Sequence, residues 1–333
     1  MLIDFNNIYL NEVSTIVEKK EKEGPLGKLF DLHINDFYNG EKTFEQCEIR
    51  MIKDNIINLL KKSNKKTSDI NLIFGTDLLN QLVANNYSLK EFNIPYIGIY
   101  SACASFPAQV ILASNLINKN IKNIICNLSS HNLTAERQYR NPVEYGAPRP
   151  KRSTYTATGC ASCIISSDKS NIKIKNGYIG KIVDYNITDV NDMGSVMASS
   201  AADSLYNYFA KTNTKPDDYD LILTGDLGVY GKEILTKYLK EEYKIDIRKK
   251  VKDSGLILYD INNQKDVNAG ASGPASIALV TFSYILDLIR KNKLKKVLLV
   301  ATGALMNTTM CNQKLSIPSI SHIICLEAIK WYI

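Results

Sequence analysis

Two spacings of apolar residues alternate along this chain. After Thr43 they recur at helical intervals through FEQCEIRMIKDNIINLLKKS, and Thr43 with Gln46 forms a capping box that opens this helix. The short apolar run INLIFG predicts a strand. PYIGIYSA predicts a buried strand, with a helix over CASFPAQVILASNLI starting just after it. IKNIICNLSS, TATGCASCIISS and NIKIKNGYIGKIVDYNI read as further strands. Then SVMASSAADSLYNYFAKT predicts a helix, YDLILTG a strand and KEILTKYLKEEY a helix. GPASIALVTFSYILDLIRK is a long, strongly apolar helix, KLKKVLLVATG a strand, and SHIICLEAIKWYI a closing strand. Strands alternating with long helices predict a largely parallel sheet covered by helices.

The second half repeats the first. DINLIFGTDL (69–78) aligns with DYDLILTGDL (218–227), which sets Asp77 opposite Asp226. SACASFPA (101–108) aligns with AGASGPAS (269–276), and IKNIICNLSS with LKKVLLVATG. Three matches in one order predict two related α/β halves, taken as 1–187 and 188–333. Within the first half, residues 129–153 lack periodicity. A loop of that length in a compact domain usually serves a function.

Composition narrows the class. Of 333 residues, 45% are apolar and 23% charged, as in an ordinary globular chain. No apolar run reaches the ~18–20 residues of a membrane span, and the N-terminus does not read as a secretory signal. The net charge of +7 comes from Lys/Asn-rich clusters such as KKSNKK, which read as solvated element ends. No nucleic-acid motif accompanies them, so no nucleic-acid partner is expected. The seven Cys are odd in number and sit mostly in apolar runs, as reduced, buried thiols do. Cys160 and Cys163 match CxxC but lie within a strand pattern and read as core. No metal site is expected. Asp77 and Asp226 follow equivalent strands and read as caps of the next helices; two isolated carboxylates fall short of the 6–8 oxygens calcium takes.

Cys103 is the candidate nucleophile. It stands at a helix mouth, where unpaired N–H groups and the dipole favour a thiolate and can hold an oxyanion. A strand, a Cys at the mouth of a buried helix, duplicated α/β units and a Gly-rich turn before a second central helix together resemble the thiolase fold, closest in layout to ketoacyl synthase III. More specifically, EGPLGKLFD (23–31), GEKTFEQCE (40–48), TDLLNQL (76–82), AERQYRNPVEYGAPRP (135–150), TGDLG (224–228), VATGALMN (300–307) and SIPSISH (316–322) resemble the stage V sporulation protein AD family, over nearly the whole chain. The resemblance implies two pseudo-two-fold α/β halves with central mixed sheets layered with helices. It implies a protein without cofactor that binds dipicolinic acid, with calcium, for uptake into the spore and release at germination. It further implies a place peripheral to the spore inner membrane beside other stage V sporulation A membrane proteins, and, by analogy with thiolases, a homodimer.

The alternative is an active ketoacyl synthase III-like acyltransferase using Cys103. Condensation in that enzyme needs a His and an Asn as well as the thiol. The loop aligned with the His-bearing one, LILTGDLGVYG, has no His, and Ala271 takes the Asn place, with Asn268 three positions early. The family resemblance therefore implies a non-catalytic pocket. Its candidate lining is Cys103, His131, Glu136, Arg137, Tyr139, Arg140 and His322. Planar guanidinium groups suit carboxylates, and tyrosines offer a flat wall. Arg137, Arg140, Arg149 and Arg152 cluster with Tyr139, Tyr145 and Tyr155. Glu136 and Glu144 could instead pair with some of these Arg, and Arg149 and Arg152 read as surface. His131 opens the long loop after a strand end, where α/β sites lie. His322 reads equally as pocket lining or as a hydrogen-bonded core residue. On this reading, truncating Arg137 weakens dipicolinate binding by about 1.5–3 kcal/mol.

Overall fold

The computed structural model describes residues 1–140, 146 and 148–329. Its two halves run through the same series of five strands. The first contains β1 (Tyr9–Val17), α1 (Phe44–Ser63), β2 (Leu72–Thr76), α2 (Val83–Leu89), β3 (Tyr96–Gly98), α3 (Ser105–Leu116), β4 (Asn123–Ser130), α4 (Asn132–Tyr139) and β5 (Gly159–Ser166). The second contains β6 (Ile172–Ile179), α5 (Met193–Thr212), β7 (Leu221–Thr224), α6 (Gly228–Tyr243), β8 (Val251–Asp253), α7 (Pro274–Val280), β9 (Lys296–Ala304) and β10 (Ser319–Ala328). Strand order is β8-β7-β9-β10-β6-β1-β5-β4-β2-β3, so each strand of one half has its counterpart five numbers on. The repeat extends to detail: α1 and α5 both end on a left-handed Asn, Asn64 and Asn213. β6 joins the halves at the middle of the sheet, pairing with β10 and, at Lys173, with Tyr9 of β1.

The sheet is mixed rather than largely parallel. β2 is parallel to β3 and β4, and β7 to β8 and β9. Toward the middle, β4–β5, β5–β1, β6–β10 and β10–β9 are antiparallel. The helix–strand alternation that predicts parallel pairing is broken at the end of each half, where β5 and β10 follow without a crossover helix along the sheet.

Three apolar cores explain the helix patterns. One lies under α1 around Met51, Ile56 and Ile73, and one under α5 and α6 around Met197, Leu205 and Leu235. The third surrounds α3 and α7; α7 is buried along its whole length, while α3 leaves Leu112 and Leu116 exposed. Phe106 of α3 meets Phe282 edge-on, with ring centroids 5.2 Å apart. The apolar run read as one helix continues from α7 through a π-helical stretch, Thr281–Ile285, to Arg290. No helix among the described residues is long and apolar enough to cross a membrane.

Residues 129–153 hold a helix where no periodicity predicts one. α4 is short, and its buried face is polar: Asn132, Thr134 and Glu136. Thr134 Oγ1 donates to Glu48 Oε2 (3.4 Å) and Ser129 Oγ to Glu48 Oε1 (2.7 Å), so a buried carboxyl of α1 seats α4.

Buried acids give the fold a pH dependence. Burial first, then the Asp77 charge, pushes the Glu48 carboxyl up to about 8. Burial pushes Glu21 up to about 8 against its bonds from Tyr259 and the Thr158 N–H. The folded state therefore keeps protons that the unfolded chain releases above about pH 4.5. Each such group favours folding most at low pH, and that advantage is lost as pH rises toward 8. Unfolding temperature is expected to fall between pH 6 and 9, and Glu48→Gln to flatten that slope. An unchanged slope in the variant would remove Glu48 from this account.

Candidate functional site

Cys103 sits in a tight turn, Ala102–Ala104, that runs directly into α3. Ala102 is held at φ +46°, a left-handed conformation costly for any residue with a side chain. The turn lies close on β9: a Cβ on Gly303 would come within 2.6 Å of the Ser101 carbonyl oxygen, so only glycine fits there. Ser105 braces the turn, its hydroxyl accepting from the Ser101 N–H (3.0 Å) and donating to the Ala102 carbonyl (2.7 Å).

The half-buried Cys103 opens on a cleft between the two halves. The cleft has about 520 Å³ of empty space counting its mouth, of which only about 60 Å³ can hold the centre of a water. α4 contributes Glu136 and Tyr139, Arg140 follows directly, and the turns after β2 and β3 contribute Leu78 and Tyr100. The second half adds Met193 and Met197 from α5, Asp226 after β7, and the Ser272–Gly273 backbone before α7.

Asp226 is the cleft residue that sequence reasoning placed elsewhere. It does not cap α6. Asp253 does that work from the end of β8, Oδ2 accepting from Leu227 N–H (3.0 Å) and Oδ1 from Gly228 N–H (3.1 Å). Asp226 is free to turn inward, where Oδ1 accepts from Thr302 Oγ1 (2.9 Å) and Oδ2 from Gly273 N–H (3.4 Å), and it bonds with the Cys103 thiol. Burial pushes its carboxyl up to about 7, against the bond from Cys103. Asp77, by contrast, does serve the following helix: Oδ2 accepts from Asn85 N–H in the first turn of α2 (2.9 Å). No cluster of three or more His, Cys, Asp or Glu that could hold a metal exists among the described residues.

The thiol is not the activated one its helix mouth predicts. Burial first, then the Asp226 carboxylate, raises the Cys103 thiol well above its ordinary value. The Gly273 N–H and Arg140 oppose this and lose. The short 3-10 turn faces a carboxylate rather than solvent or an imidazole, so the dipole's help is outweighed.

The other predicted site residues separate. Glu136, Tyr139 and Arg140 line the cleft with Cys103. Arg140 is buried, its Nη1 donating to Glu136 Oε1 (2.8 Å) and to the Thr154 carbonyl (3.3 Å). Arg149 is not on the surface: its Nη1 is buried 3.4 Å from the same Glu136 oxygen, and its guanidinium lies over Tyr155. Arg137 points the other way along α4, pairing with Glu45 and lying over Phe44, and it does not line the cleft. Arg152 pairs with Asp189 at the surface. Tyr139 and Tyr100 hydroxyls bond at 3.0 Å. Glu144 and Tyr145 lie outside the described residues.

Neither His131 nor His322 lines the cleft. His131 is fully buried between Phe37 and Phe44, with Nε2 3.0 Å from the Phe37 carbonyl. Burial lowers it to about 4, so it is neutral. His322 Nδ1 accepts from Gly180 N–H (3.2 Å), and burial lowers this ring to about 4 as well. A neutral imidazole accepting at Nδ1 carries its proton on Nε2, which then donates to Ser101 Oγ (3.1 Å). It has no lone pair to offer the thiol. Among the described residues, no imidazole or carboxamide lines this cleft.

Comparison with known proteins agrees with this architecture. The stage V sporulation protein AD family matches residues 3–327. The stage V sporulation protein AD of Bacillus subtilis (strain 168) is 41% identical over 321 residues, covering 96% of this chain and 94% of that one. Among solved structures, a variant of OleA from Xanthomonas campestris superposes with a TM-score of 0.62 at 13% identity, covering 98% of each chain. The 3-oxoacyl-[acyl-carrier-protein] synthase III of Aquifex aeolicus VF5 gives 0.57 at 13%, covering 96% of this chain and 99% of that one. Human mitochondrial 3-ketoacyl-CoA thiolase gives 0.57 at 8%, covering 97% and 99%. At these identities the structures establish the thiolase-type fold alone.

Proposed function

The chain belongs to the stage V sporulation protein AD family and is a sporulation protein of thiolase-like fold, and from that premise we propose that its Cys103 cleft binds dipicolinic acid without condensing acyl groups. One observation carries the reading: Cys103 faces Asp226 in a cleft that also holds a buried guanidinium and two tyrosines. A carboxylate in that place keeps the sulfur protonated, which suits a binding wall and not a nucleophile. Arg140 offers a carboxylate the charged, forked donor it prefers. Tyr100 and Tyr139 offer a flat ring a wall.

Charge balance favours the calcium chelate as the bound species. Arg140 and Arg149 are countered by Glu136 and Asp226, so the cleft has little net charge for a bare dianion. A dianion with its calcium is neutral overall, and the metal comes with the ligand. In this reading the protein works at the spore inner membrane beside other stage V sporulation A membrane proteins, as a homodimer.

The rival reading, an acyltransferase, draws on the retained thiol and on the likeness to condensing enzymes. Calorimetry with dipicolinate and with isophthalate, each with and without calcium, tests the first. Dipicolinate with calcium is expected to bind and isophthalate to fail, since it lacks the ring nitrogen. An acyl-Cys103 intermediate that forms from a thioester and turns over would decide for the rival.

A further inference from the structure

The wall of the cleft next to Tyr139 is a strained turn. Between β2 and α2 the chain passes through Gln81 (φ 59°, ψ 20°) and Leu82 (φ 56°, ψ 44°), two consecutive side-chain-bearing residues in the left-handed region. Such outliers persist only where surroundings over-determine them. Here the surroundings are named. At the root, Asp77 Oδ1 accepts from Leu79 N–H (2.9 Å), and Oδ2 from Asn85 N–H and Nδ2 (2.9 Å each). At the tip, Gln138 of α4 clasps both sides of the turn, donating to the Leu78 carbonyl (2.7 Å) and accepting from Asn80 N–H (3.0 Å). Tyr139 Oη also donates to the Leu78 carbonyl. The second half closes the clasp, Thr308 Oγ1 donating to the Gln138 carbonyl (2.8 Å).

Leu78 and Tyr139 are both cleft walls, and the space between walls admits the centre of a water over only about 60 Å³. We propose that the Asp77–Leu82 turn is the movable wall of the cleft, swinging off α4 by breaking the Gln138 clasp so that ligand enters, with the strain at Gln81–Leu82 released on opening. This rests on the binding reading above for the identity of the ligand, but not for the motion itself.

Two substitutions with opposite signs test it. Gln81 is exposed, and its side chain lines no wall of the cleft. Gln81→Gly removes left-handed strain from the closed turn, which glycine adopts freely. Closed is favoured, and the association rate of dipicolinate with calcium is expected to fall about fivefold by stopped flow. Gln138→Ala removes the clasp, and the rate is expected to rise by a similar factor. Hydrogen exchange of the unliganded wild type supplies the independent readout: amides of 79–85 are expected to exchange faster than those of α3, faster still in Gln138→Ala and slower in Gln81→Gly. If no ligand binds the wild type, the binding reading fails while exchange still judges the motion. If ligand binds but both variants leave association and exchange unchanged, the movable wall is overturned.

Discussion

Arg140→Gln is expected to weaken dipicolinate binding 10- to 100-fold in calorimetry, while Arg137→Ala leaves it within twofold. The contrast comes from two guanidinium groups three residues apart on one short helical segment. Arg140 is buried at the cleft, and both of its bonds, to Glu136 Oε1 and to the Thr154 carbonyl, leave from Nη1. A charge-assisted contact made in such a place is worth about 1.5–3 kcal/mol, and about 1.4 kcal/mol is tenfold in affinity. Arg137 is half exposed and spent on Glu45 and the Phe44 ring, and an ion pair of that exposure contributes little anywhere. Removing Arg140 does not strand Glu136, because Arg149 stays within 3.4 Å of it, so the variant should fold and its unfolding temperature should be checked beside the affinity. Equal losses in the two variants, or none in Arg140→Gln, would remove the cleft from dipicolinate recognition.

That Arg140 lines the cleft while Arg137 does not shows what spacing can and cannot say. Residues 136, 137, 139 and 140 bring charged and aromatic groups together in sequence, but which face of a helix each takes depends on knowing that a helix is there. α4 is hidden because its buried side is Asn132, Thr134 and Glu136, and polar burial leaves no hydrophobic period. The elements with apolar faces are legible: α1 from its capping box, α5 from the pattern of SVMASSAADSLYNYFAKT, β4 and β9 from their apolar runs. The β2/β7 and β4/β9 alignments correspond to a true structural repeat. Asp226 misleads for a related reason. An aspartate after a strand and before a helix is a cap by local logic, and only the fold brings in Asp253 from β8 to do the capping instead. Long-range substitution of one carboxylate for another leaves no local trace.

Asp226 is also where the largest change in reactivity should lie. Asp226→Asn keeps an acceptor for Thr302 and fills the same volume, but it removes the negative charge beside Cys103. Two forces hold that thiol up, burial and the Asp226 carboxylate. The substitution takes away the second and leaves the Gly273 N–H and Arg140 to act against burial alone. Each unit by which the thiol falls gives about a tenfold rise in thiolate where the thiol is mostly protonated. Alkylation of Cys103 by iodoacetamide at pH 8 is therefore expected to accelerate at least tenfold, read by mass spectrometry of the Cys103 peptide. Because the Asp226 carboxyl is pushed up to about 7, the sign can also be followed in the wild type. Below pH 7 a protonated Asp226 no longer opposes the thiolate, so the wild type's deficit relative to the variant should shrink as pH falls from 8 to 6. No acceleration at all would mean that burial alone keeps the sulfur protonated, and a deficit independent of pH would mean that Asp226 stays charged from pH 6 to 8.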